Sequence, residues 1–223
     1  MKDYELKNID SEDIEDLLVK VETSLDIKFV DDELVHITTF GQLCDHIANK
    51  IQLDNVEDCT SQQAFYKLRK AISSTLQLDE NVVSPDFLLK DILPRQGRRS
   101  NVKNLEKYLG FKLNLLRLPR WITGTFVIIV LASFFGLFLN FEIGFLGLVF
   151  SIGGLWFANK IGNELDLKTV RQVAEKMTSE NYLKSRRNSN AFNKKEIENV
   201  LTNLFSKELG IEKINLTREA KFI

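Results

Sequence analysis

Cysteine and histidine are scarce: two of each occur in 223 residues, and none stands in a cluster that ligates metal or activates a nucleophile. Cys44 and Cys59 lack zinc-site spacing, and in a segment expected to face the cytosol they are not expected to form a disulfide. Cys44, close to His46, reads as helix packing. His36 and His46 stand apart from paired carboxylates and thiols, so a metal site or a serine triad lacks its parts. No glycine-rich loop joins a strand pattern to a helix pattern, which argues against a nucleotide enzyme. Charge of one sign is also scarce. A net charge of −1 with 27% charged residues argues against a general nucleic-acid binder and against a wholly disordered chain. No apolar run stands at the N-terminus, so no cleavable signal peptide is expected and any membrane insertion falls to an internal segment.

That segment is residues 121–158. Residues 121–139 carry no charge over 19 positions, close to the roughly 20 residues a helix needs to cross hydrocarbon. Asn140, Phe141 and Glu142 form a polar break, and residues 143–158 give a second apolar run of 16, short enough to require thinning or help from its partner. The expectation is a transmembrane hairpin; the alternative is a helical hairpin buried in a soluble protein, for which the flanking segments look too small. Gly147, Ser151, Gly154 and Ala158 line one face of the second run, suited to packing within the hairpin against Ala132 and Gly136 or to a homodimer. Arg95, Arg98, Arg99, Lys103, Lys107, Lys112, Arg117 and Arg120 precede the hairpin and Lys160 follows it, whereas the turn carries only Glu142. Both termini are therefore expected in the cytoplasm of a two-pass protein, with a bacterial inner membrane as the expected location.

The rest of the chain reads as helical, giving an all-α fold class. In residues 10–25, Ile14, Leu17, Leu18, Val21 and Leu25 follow helical spacing while Glu12, Asp13, Glu15, Asp16 and Glu22 load the other face. Ser11 is placed to cap this helix, and the acids of its first turns complement the helix dipole. Thr39 and Gln42 then make a capping box before Phe40, Leu43, Cys44 and Ile47. Residues 10–47, DSEDIEDLLVKVETSLDIKFVDDELVHITTFGQLCDHI, resemble the second half of an acyl carrier protein. Asp10 and Ser11 fall where that family has its Asp-Ser-Leu motif, Asp26 and Ile27 at its DI pair, and Thr38 and Thr39 at the TT that opens its last helix. The resemblance implies that Ser11, beside Asp10, carries covalent 4′-phosphopantetheine. It departs at Glu12, where the family usually has an apolar residue.

The family's first helix is not among the residues before Asp10, but the chain holds two candidates. Residues 60–93 open with Thr60 and Gln63 as a capping box and run through Phe65, Leu68, Ile72 and Leu76. Residues 193–223 open with Asn193 and Glu196 and run through Ile197, Val200, Leu201, Leu204, Phe205 and Leu209. At a constant shift of 133 positions Leu68, Leu76, Asp79, Ser84 and Asp86 meet Leu201, Leu209, Glu212, Thr217 and Glu219, so the two are an internal repeat. Two arrangements follow: a circularly permuted unit in which residues 193–223 dock on residues 1–50, or completion of residues 1–50 by residues 60–93. Residues 94–120, with Val102, Leu105 and Leu109 on one face and basic residues elsewhere, suit a helix lying on anionic lipid or a solvated connector. Residues 159–192 read as a short helical face, Leu167, Val170, Ala174 and Met177, then a polar linker.

The implied function is non-enzymatic. A membrane-anchored carrier would be loaded by a phosphopantetheinyl transferase, and Glu12, Asp13, Asp16 and Glu22 would offer negative charge to acyl-transfer enzymes. The alternative is a membrane adaptor that keeps a carrier-like fold without the prosthetic group. A small transporter subunit has little support, since the hairpin holds no charge beyond its turn.

Overall fold

The computed structural model describes residues 10–222. Ten helices are joined by four two-residue strands: α1 Ser11–Leu25, α2 Phe40–Lys50, β1 Asp54–Asn55, α3 Thr60–Leu76, α4 Leu89–Ile92, α5 Arg98–Leu109, β2 Leu116–Arg117, α6 Arg120–Leu139, α7 Phe141–Ile161, β3 Glu164–Leu165, α8 Val170–Glu180, α9 Tyr182–Ser185, β4 Ala191–Phe192 and α10 Lys194–Leu209. The fold is therefore all-α, with two apolar cores. Leu17, Val21 and Leu25 of α1, Phe40, Leu43 and Ile47 of α2, and Leu201, Leu204 and Phe205 of α10 share the first. Phe40 meets Phe205 edge-on with ring centroids 5.1 Å apart. The second core gathers Ala64, Leu68 and Ile72 of α3, Val102, Leu105 and Leu109 of α5, and Val170, Val173 and Met177 of α8.

Each core is thus a three-helix unit, and the two units repeat one another down to individual hydrogen bonds. In the first, Phe40 N–H donates to Ala220 O (2.8 Å), Gly41 N–H to Arg218 O (2.9 Å) and Phe222 N–H to Thr38 O (3.0 Å). In the second, Val170 N–H donates to Phe87 O (3.1 Å), Arg171 N–H to Pro85 O (2.7 Å) and Leu89 N–H to Lys168 O (2.9 Å). The helix starts match as well. Thr39 with Gln42 and Thr169 with Gln172 both form complete capping boxes, which satisfy donors that a helix end otherwise leaves free. The C-terminal helix packs on α1 and α2 within the same chain, while residues 60–93 pack on α5 and α8 instead.

The expectation for residues 94–120 fails. Val102, Leu105 and Leu109 of α5 are buried against α3, so the apolar face that would lie on lipid fills a protein core, leaving only the basic face outward. Residues 182–193 are no open linker either: Tyr182, Ser185, Arg186, Ala191 and Phe192 are buried. Here β1 and β4 pair in parallel, bringing the starts of α3 and α10 side by side. Arg186 sits between them, paired with Asp58 and 4.0 Å from Glu196, its guanidinium donating to the Thr60 hydroxyl and, at 3.3 Å, to the Tyr182 hydroxyl. Tyr182 OH accepts from Asn193 N–H (3.0 Å) and donates to Glu196 Oε2 (3.2 Å). The capping box expected at Thr60 and Gln63 does not form. Glu196 reaches across from α10 to accept Thr60 N–H at 3.0 Å, and the Gln63 amide donates to Asp58 at 2.6 Å.

The apolar hairpin α6–α7 is inserted within the second unit, between α5 and α8. Both ends of it are held by an antiparallel ribbon in which Leu116 faces Leu165 and Arg117 faces Glu164. Arg98, buried beneath, donates from Nε to Leu93 O (2.8 Å) and from Nη1 to Asn163 O (2.7 Å), tying the base of α7 to the start of α5. Two helices of 20 and 21 residues are long and apolar enough to cross a membrane, about 30 Å each at the usual rise. The second is longer than the apolar run suggests because Asn140 alone makes the turn. Its side chain accepts from Glu142 N–H (3.1 Å) and Ile143 N–H (3.4 Å), drawing Phe141 and Glu142 into the helix. The described residues do not bury the hairpin in a core of their own: none of the apolar window of α6 and 11% of that of α7 is covered. The small residues of α7 face α6. A side chain at Gly147 would overlap the Ser133 hydroxyl, one at Gly154 would stand 2.6 Å from the Phe126 ring, and Ser151 is fully buried. That face is therefore filled within the chain and is not open to a homodimer.

Candidate functional site

The residues singled out around Ser11 lie at the start of α1, in the unit that α1 and α2 form with α10. Asp10, not Ser11, is the cap: it has an extended backbone and its carboxylate accepts Glu12 N–H at 3.2 Å. A side chain one residue earlier reaches the free N–H groups better, because the first helical residue already points outward. Ser11 is consequently the first residue of the helix, exposed, with no hydrogen bond to its hydroxyl among the described residues. Glu12, Asp13, Glu15 and Asp16 are exposed beside it, while Leu17 and Val21 hold the helix to the core. An exposed Glu12 is compatible with the fold, since the apolar contact at this end comes from the half-buried Ile14.

Glu22 does not belong to the acidic face. It is half-buried, and its carboxylate accepts Phe29 N–H at 2.6 Å, fixing the turn in which Asp26 adopts left-handed backbone (φ 51°). The acidic loop that follows is likewise tied down. Glu33 bonds Lys50 Nζ at 2.7 and 2.8 Å, His46 Nε2 at 2.8 Å and Val30 N–H at 2.8 Å. Foremost the Lys50 ammonium, then the Val30 N–H, hold its carboxyl down from the ordinary 4.5 to about 2. A depressed folded value means that the contribution of Glu33 is complete above about pH 4.5 and is lost as pH falls toward 2. The protection of Val30 N–H, relative to its intrinsic exchange at each pH, should accordingly fall over that interval, and Glu33→Gln should remove the pH dependence of that protection. A Val30 amide equally protected at both ends of the interval would refute the assignment.

The second unit offers a direct comparison. Its counterpart of α1 is α5, which starts after Gly97 (φ 75°) with Arg98, whose side chain is buried in hydrogen bonds to the backbone. The first residue of α5 is thus an arginine rather than a serine, and the nearest hydroxyl, that of Ser100, is two residues further on. Neither α5 nor α8 is recognised from the sequence as a repeat element, although Thr169 and Gln172 stand at the spacing of Thr39 and Gln42 and could have disclosed α8. Among the described residues no three of His, Cys, Asp and Glu converge into a metal-binding group. Cys44 is buried, and loss of water around the thiol pushes it up to about 12, so it is chemically quiet, whereas Cys59 is exposed. No protein-family model, no curated protein and no solved structure matches this chain.

Proposed function

We propose that the protein is a membrane-anchored carrier that presents an acyl group from Ser11 at the cytoplasmic face. The observation that carries the reading is the freedom of the Ser11 hydroxyl. It stands exposed at the first residue of α1, relieved of capping by Asp10, in a unit whose core α10 completes. The residue present fits a covalent phosphodiester, which needs an accessible hydroxyl and room for an anion at the positive end of a helix. When attached, 4′-phosphopantetheine supplies a thiol that holds acyl groups as thioesters. The chain's own residues then position and recognise: Asp10 fixes the start of α1, and Glu12, Asp13 and Asp16 offer carboxylates to cationic faces of the transferase and of acyl-transfer enzymes. The chain itself performs no reaction. The hairpin serves as a two-pass anchor in a bacterial inner membrane, and the basic residues around its base keep both termini in the cytoplasm.

A second reading is favoured by α5. This chain already builds one such unit with a buried arginine, Arg98, and no serine at the first helical residue, as a non-enzymatic adaptor would. Intact mass after incubation with coenzyme A and a broad-specificity phosphopantetheinyl transferase separates the two. The carrier gains one arm, and Ser11→Ala gains none. A folded parent that gains nothing, while a known carrier in the same tube is loaded, leaves the adaptor.

A further inference from the structure

A groove of about 590 Å³ runs along the outer side of α6 at its base, lined by Arg117, Leu118, Arg120, Thr123, Gly124, Val127 and Ile128. Its two ends differ in chemistry. At the mouth stand the guanidinium groups of Arg117 and Arg120, the first held in place by Asp166, which accepts from Nη1 at 2.9 Å. Arg120 is exposed, and among the described residues no carboxylate pairs with it. The floor descends along α6 through Thr123 and Gly124 to Val127 and Ile128, which are apolar and face outward. Gly124 opens the groove: a Cβ built there would meet no atom within 4 Å.

We infer that this groove binds one anionic phospholipid, the headgroup phosphate against Arg117 and Arg120 and an acyl chain along Gly124, Val127 and Ile128. The inference rests on the reading of the hairpin as membrane-spanning. A free phosphate would use the arginines and leave the apolar floor bare, whereas a zwitterionic lipid would cover the floor and bring no net charge to the arginines. Arginine suits the mouth because its planar fork meets phosphate oxygens in pairs.

The test uses the full chain in lipid nanodiscs made from equal parts phosphatidylcholine and phosphatidylglycerol, followed by detergent extraction and native mass spectrometry of the retained lipid. The parent should keep one phosphatidylglycerol in preference to phosphatidylcholine. Arg120→Gln and Arg117→Gln should each lower that preference by about fivefold, the effect of one cation near a charged surface. Gly124→Leu, whose Cβ would meet no atom within 4 Å, puts a side chain into the groove and should abolish retention, while Gly153→Leu, whose Cβ on α7 is equally free, should leave it unchanged. Excess inorganic phosphate at matched ionic strength should not displace the lipid. Displacement would reveal a plain anion site and overturn the lipid assignment, as would equal retention of the two lipids or indifference to Arg120→Gln and Gly124→Leu. A chain that stays out of the bilayer altogether overturns the anchor reading itself, an outcome distinct from insertion without lipid preference.

Discussion

Removing residues 194–223 should unfold residues 10–53 while the unit built from α3, α5 and α8 stays folded. The helix deleted contributes Ile197, Val200, Leu201, Leu204 and Phe205, all buried in the first core. At about 1.5–3 kcal/mol for each buried side chain the loss is on the order of 10 kcal/mol, comparable to the whole stability of a small domain. What remains is α1 against α2, two amphipathic helices too short to hold alone. Hydrogen exchange followed by mass spectrometry reads both units at once. Protection should vanish in residues 10–53 and persist in α5 and α8, and a synthetic peptide of residues 194–222 should restore it. Persistence of protection at Leu17, Val21 and Ile47 in the truncated chain would refute the dependence of this core on α10. Fraying at Thr60 is expected in any case, since Glu196 no longer holds its N–H.

Arg186→Ala should destabilise the protein by about 1.5–3 kcal/mol, the range for hydrogen bonds to a charged group, since the Asp58 and Glu196 carboxylates it leaves are in part open to water. The side chain is 1% exposed, and its removal strands Asp58, Glu196 and the Tyr182 hydroxyl at the seam between the units. A second consequence concerns cooperativity. With the seam broken, thermal unfolding in detergent should separate into two transitions, one for each core, where the parent shows one for the soluble part. Lys195→Ala is the control. Its pair with Glu57 joins side chains 75% and 66% exposed, so its loss should cost less than about 1 kcal/mol. Equal effects from the two substitutions would mean that Arg186 is not a structural cation.

The difference between those two cations marks where sequence reading stops. Lys195 and Arg186 both stand in strongly polar strings, and nothing local distinguishes them; the burial of Arg186 is decided by Asp58, 128 residues away. The triplet Val102, Leu105 and Leu109 carries a similar ambiguity, because an apolar stripe beneath basic residues fits a lipid surface and a protein core equally well. Only the presence of α3 opposite selects the core. Long-range pairing was legible in one case, where the shift of 133 positions brings residues 193–223 into the same pattern as residues 60–93. The hairpin was legible for the opposite reason: a charge-free run of this length has few other homes, although the one-residue turn at Asn140 lay below the resolution of hydropathy. At the candidate site the start of α1 was clear from Asp10 and Ser11, but which of two adjacent capping residues takes the cap depends on one backbone angle. Glu22 was misplaced because helical spacing alone assigns it to the outer face, and its bond to Phe29 N–H arises only once the chain has turned at Asp26.

The position of the hairpin between α5 and α8 sets an order of events during synthesis. On the ribosome α1 and α2 emerge well before their third helix, α10, which follows every other described helix in the chain. The second unit waits as well, since α8 follows both apolar helices. Neither core can close while the nascent chain stops short of α7, so α1, α2, α3 and α5 leave the exit tunnel with uncovered apolar stripes. Closure of the second unit requires that the hairpin has already returned the chain to the side it left. Assembly of the two helical units is thereby made conditional on formation of the hairpin, and a hairpin that forms late leaves both units open to chaperones and proteases.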